Sequence, residues 1–145
     1  MTIYDTTSFK DESSKLNTLI DKYKSNKKDE ALKIQLASTY FNLKEYKKSL
    51  STINEIKNHT LFSFTLFLEL LFKSHRFYDI IDLYNTAHDS NNTYKSYFSN
   101  KKPFGIYIKS YFKCYGSDFN SNLSNVMKSI KFCNFMQIKQ VFENI

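Results

Sequence analysis

The chain has 145 residues, 41% of them hydrophobic, which suits one domain with a core of ordinary size. Two glycines and one proline are too few for many tight hairpins or for a Gly-rich phosphate loop, so the expected fold is all-α and nucleotide binding of that kind is excluded. A net charge of +7 permits attraction to nucleic acid or an anionic surface, although codons poor in G and C would produce the same lysine-rich composition.

In chain order, Leu16, Leu19, Ile20 and Tyr23 recur at helical spacing and predict a capping helix over 13–28. Asp29 then reads as the N-cap of a second helix, in which Leu32, Leu36, Tyr40 and Leu43 share one face and Ile34, Ala37 and Phe41 another. That helix wants neighbours on both sides. Spacing resumes at Tyr46, Leu50, Ile53 and Ile56, so "LASTYFNLKEYKKSL", residues 36–50, joins two helices of a hairpin over 29–58.

The same layout returns over 60–88, where "FTLFLELLFKS" supplies one helix and Phe77, Ile80, Ile81, Tyr84 and Ala87 the next. Tyr46 and Phe77 open the second helix of each pair and lie 31 residues apart, close to the period of helical solenoids. The polar stretch "DSNNTYKSYFSNKKP", 89–103, is expected to be a loop or a frayed helix end closed by the proline. A third, degenerate hairpin is expected over 104–131, and a C-terminal helix carrying Phe135, Ile138, Val141 and Phe142 over 133–144. The total is about seven to eight helices in a single domain.

These hairpins resemble tetratricopeptide repeats, whose pattern places Leu-Gly-x2-Tyr on the first helix and Ala-x3-Phe on the second. In the first copy Leu36, Ala37 and Tyr40 take the first-helix places, with Tyr46, Ser49 and Ile53 on the second. In the second copy Phe64 stands where the family has Trp, followed by Phe67, Leu68 and Leu71, then Ile80 and Tyr84. Leu68 and Ile80 are large where small residues are expected, Lys33 replaces the first Trp, and Leu61 and Asn92 stand at the closing proline. The third copy aligns with one inserted residue through Ile108, Lys109, Phe112 and Gly116, then Asn122 and Val126.

The resemblance covers roughly residues 29–131 and implies a right-handed α-α superhelix, a solenoid that binds partners on its concave wall. It projects Ile34, Ser38, Phe41 and Asn42 onto that wall in the first copy, and Phe62, Thr65, Glu69, Phe72 and Lys73 in the second. Members that grip acidic C-terminal peptides resemble one another in a Lys, Arg and Asn cluster at these places. Here Ile, Ser and Phe stand instead, so an apolar segment or partner helix is the expected occupant. Phe41, Phe62 and Phe72 have a second reading, as rings that pack on adjacent helices.

Chemistry is not legible. His59, His75 and His88 lack a companion Cys or acidic ligand at metal spacing, and the carboxylates are scattered or pair with lysine, as Asp29 does with Lys33. No nucleophile has a base beside it, so the expectation is a non-enzyme without cofactor, metal or small-molecule substrate. The competing reading is RNA or ribosome association through "KYKSNKK", "KEYKK", "NKK" and "KSYFK", with Lys24, Lys27, Lys28, Lys101 and Lys102 meeting phosphates. Two cysteines, Cys114 and Cys133, suit a reducing compartment, and the N-terminus lacks the basic and apolar segments of a secretory signal. The Asn-x-Ser/Thr matches at Asn58, Asn91 and Asn122 are then accidents of composition. The run "LFSFTLFLELLF", 61–72, is too short to span a bilayer, so the expected location is cytoplasmic or nuclear, without a membrane partner.

Overall fold

The computed structural model describes the backbone of residues 2–90 and 92–121, and the side chains of 11–90 and 92–115. Among the described residues the fold is all-α, and no strand is present. The helices are α1 (Thr2–Ser25), α2 (Glu30–Asn42), α3 (Tyr46–Ile53), α4 (Leu61–Lys73), α5 (Phe77–Asp89), α6 (Thr93–Tyr97) and α7 (Lys101–Ser121). Two compact units divide the chain, Met1–Leu70 and Leu71–Ile145.

In the first unit, Asp29 caps α2 as its position predicts, its carboxylate accepting the Leu32 N–H at 3.3 Å. Helix α1 begins at Thr2, well before the predicted start at 13, because apolar spacing marks where a helix is buried and not where its backbone hydrogen bonds begin. It packs on α2, where Asn42 donates to the Glu12 carboxylate at 3.4 Å. Tyr23 at its other end donates to Glu55 at 2.8 Å, and that bond is the first cause that holds the phenol above its ordinary pKa. The pair α2 and α3 encloses Ala37, Ile53, Ile56, Leu66 and Leu70, with Ile34, Phe41, Tyr46, Leu50 and Phe67 packed around them. Ala37 is the point of closest approach. Its carbonyl accepts the buried Ser49 hydroxyl at 2.6 Å, so a small side chain on each helix lets the two backbones meet.

In the second unit, α5 packs on α6 and α7. Tyr84 and Tyr107, both buried, stack at 3.7 Å with their planes 7° apart, and Phe98 meets Tyr84 edge-on at 5.1 Å. The segment 89–103, expected as a loop, instead holds α6 and the first turn of α7. Asn92 caps α6 by accepting the Tyr94 N–H at 3.0 Å, and burial of Phe98 anchors the segment, an apolar contact too isolated to create a periodic signal. Pro103 lies in the first turn of α7, where no intrahelical bond asks for its missing N–H, so it starts the helix and does not end the loop. Helix α7 continues past Gly116 with non-helical backbone angles at Tyr115 (φ −129°, ψ 29°), so the expected third hairpin does not turn before Ser121. Asn122, Val126 and the expected helix over 133–144 lie outside the described residues.

The two hairpin turns are the same structure 31 residues apart. Lys44 and His75 both adopt left-handed backbone angles, φ 63° and 59°. Glu45 N–H donates to Tyr40 O and Arg76 N–H to Leu71 O, both at 2.9 Å, while Lys44 N–H donates to Phe41 O at 3.0 Å and His75 N–H to Phe72 O at 3.1 Å. This pair of bonds closes a helix C-terminus on a left-handed residue, usually glycine. Next to each turn a ring pair crosses: Phe41 on Tyr46 at 5.5 Å and 65°, Phe72 on Phe77 at 5.1 Å and 68°.

A left-handed backbone strains any residue with a Cβ, so Lys44→Gly should stabilise the chain by about 0.5–1 kcal/mol, net of the entropy glycine adds to the unfolded state. In urea this appears as a higher midpoint at unchanged slope. Ile53 is wholly buried and Leu50 only half so; Ile53→Ala should therefore cost about 2–5 kcal/mol and Leu50→Ala distinctly less, measured in the same way.

Candidate partner-binding face

The nine side chains proposed to line a binding wall come from α2 and α4, and the structure gives them different surroundings. Ile34 and Phe41 are half-buried against the core of the first unit, and Phe41 holds the ring of Tyr46. Ser38 is half-buried, and Asn42, though exposed, is engaged with Glu12. On α4, Thr65 turns its hydroxyl back to the Leu61 carbonyl at 2.7 Å, the usual way a mid-helix threonine satisfies itself. Glu69 is half-buried, Lys73 is exposed, and Phe72 is half-buried against Phe77. Phe62 differs from the rest: 60% of it is exposed, beside an exposed Leu61. The aromatics of the wall therefore divide, with Phe41 and Phe72 serving the hairpin turns and Phe62 facing solvent.

Sequence periodicity overlooks Leu61 as an exposed apolar residue, and also Tyr78 and Tyr115. Tyr78 is 62% exposed, and its ring meets Tyr115 edge-on at 6.4 Å. A signal was present: Tyr78 follows Phe77 directly and is off the apolar stripe that continues through Ile80, Ile81 and Tyr84, which is where an outward aromatic must sit.

The five candidate phosphate contacts are all exposed. Lys24 lies in the last turn of α1, where a cation complements the helix dipole, and Lys27 and Lys28 fill the turn to α2. Lys101 and Lys102 open α7, where the dipole is unfavourable to them. The aromatics of the basic stretches are committed elsewhere. Tyr46 packs on the core, and Lys48 places its ammonium 5.9 Å from the Tyr40 ring centre, a cation–π contact.

Protein-family models, curated proteins and solved structures give no match to the chain. The site must therefore be judged on its own chemistry. One juxtaposition has the outline of a nucleophile and base: His59 Nδ1 lies 3.0 Å from Ser63 Oγ. Ser63 is wholly buried, however, and its oxygen accepts the Thr60 N–H at 2.9 Å while Thr60 Oγ1 accepts the Ser63 N–H at 3.2 Å. No substrate can reach that oxygen, and the pair is a reciprocal cap on the start of α4. The "T-x-x-S" spacing of residues 60–63 was its signal in the sequence. Cys114 is held above the ordinary thiol value by burial, which outweighs its hydrogen bond with Tyr78, so the thiolate that nucleophilic chemistry requires is disfavoured. Among the described residues no cluster of three His, Cys, Asp or Glu side chains could hold a metal ion, and no helix is long and apolar enough to cross a membrane.

The division among the aromatics has a direct test. Phe62→Ala should leave stability within about 0.5 kcal/mol of the parent, as exposed substitutions do. Phe41→Ala, losing a half-buried ring, should cost about 1–3 kcal/mol, below the range for a fully buried one. Urea titration followed by far-ultraviolet circular dichroism measures both.

Proposed function

We propose that the chain is a non-catalytic protein–protein interaction module, a small adaptor or subunit of a larger assembly, built as a divergent tetratricopeptide-like right-handed superhelix. The observation that carries this reading is the recurrence at 31 residues of a whole turn: left-handed residue, two closing hydrogen bonds and crossed ring pair. A repeated hairpin that cannot bury its own flanks is the unit from which binding surfaces of stacked helices are made. The proposed occupant is an apolar segment or partner helix, held near Phe62 in a reducing, cytoplasmic or nuclear compartment. Outward aromatics are the usual anchors of such interfaces.

A second reading, contact with RNA or the ribosome, is favoured by one observation, the exposure of Lys24, Lys27, Lys28, Lys101 and Lys102. The two readings place binding energy on different residues. With the partner recovered from the native source, Phe62→Ala should weaken association at least tenfold, about 1.4 kcal/mol, with circular dichroism unchanged. Replacing the five lysines with Gln should matter little. A log-log salt slope steeper than about −3, with full binding by Phe62→Ala, would establish the RNA reading instead.

A further inference from the structure

His59 sits on the reciprocal cap that starts α4. Its ring stacks on Phe67 at 5.5 Å and 9° and meets Phe64 edge-on at 6.1 Å, with Nδ1 against Ser63 Oγ. All three contacts belong to the first two turns of α4, so the imidazole closes over the Thr60–Ser63 cap as a lid. We propose that His59 is a pH-sensitive latch on the N-terminus of α4, holding the cap closed when neutral and loosening the turn that carries Leu61 and Phe62 when protonated.

Which effects resist the proton follows from the surroundings. Burial is the larger, and it lowers the pKa of His59. The N-terminus of α4 adds its positive dipole end. Glu30 of α2 is the charged group that acts on the ring; it favours the proton, while its carboxylate accepts the Lys57 N–H at 2.9 Å. The hydrogen bond to Ser63 is not an obstacle, because the hydroxyl that donates to a neutral Nδ1 can turn to the Thr60 carbonyl at 3.3 Å and accept from an imidazolium.

The opened state thus binds the proton more tightly than the closed one. Stability of the cap is complete above the ordinary histidine value of about 6.5, falls as pH drops below it, and levels off below the lowered value of the closed state. The exposed face invoked for partner binding begins at this same turn, but the latch needs no partner and is measured without one.

Residue-resolved NMR of the full chain is the test. His59 should titrate below 6.5, and exchange protection of the Ser63 and Phe64 amides, corrected for the intrinsic pH dependence, should fall between pH 7.5 and pH 5, by up to about tenfold per unit of lowering. His59→Gln keeps a polar side chain without the titration and should show the same protection at both pH values. A His59 midpoint at or above 6.5, protection indifferent to pH in the parent chain, or a pH effect that survives in His59→Gln would overturn the proposal. The first two readouts come from the unsubstituted protein and stand even if the variant does not fold.

Discussion

The direction of the chain at each hairpin depends on one residue held in a backbone region that side chains avoid. At Lys44 and again at His75 the helix before the turn ends because its last carbonyls are satisfied by the next two amides, and those bonds form only if the intervening residue is left-handed. Neither turn has the glycine that would make this easy. Something must offset the strain, and the neighbouring ring pairs, Phe41 with Tyr46 and Phe72 with Phe77, are placed to do so, since each joins the last turn of one helix to the first residue of the next. Local strain and tertiary contact occupy the same few residues.

Close approach inside the two copies is solved differently. In the first, Ala37 and Ser49 are both small and buried, and the serine spends its hydroxyl on the carbonyl opposite. At the corresponding places of the second, Leu68 and Ile80 are also wholly buried, so bulk takes the place of backbone contact. A shared turn with unshared packing is what a repeat becomes when its period is retained and its core volumes drift.

Much of this was legible before any coordinates. The bounds of α2, α4 and α5 follow from apolar spacing and, for α2, from Asp29, because those helices bury a stripe and the stripe is written in residue type. The N-terminal half of α1 and all of α6 were not, since the former has no apolar stripe in its sequence and the latter rests on Asn92 and a single buried ring, Phe98. Of the candidate wall, Phe62 was placed correctly as outward, whereas Phe41 and Phe72 were drawn inward by turns whose left-handed geometry a lysine and a histidine do not advertise. The buried His59–Ser63 pair escaped notice for a related reason: its members are polar, and periodicity counts only apolar residues.

The chain contains eleven tyrosines and no tryptophan, and in the second unit two of the buried tyrosines lie face to face at 3.7 Å. Rings so near and so parallel do not absorb or emit as separate chromophores. Their transition dipoles couple in an asymmetric surrounding, which lends Tyr84 and Tyr107 a near-ultraviolet circular dichroism out of proportion to their number. Tyr111 and Tyr115 continue the row along α7 at 6.2 and 4.7 Å, within easy reach of energy migration from ring to ring. The ultraviolet signature of this protein is therefore a local one, weighted to the packing of α5 on α7, and the first unit is nearly silent in it.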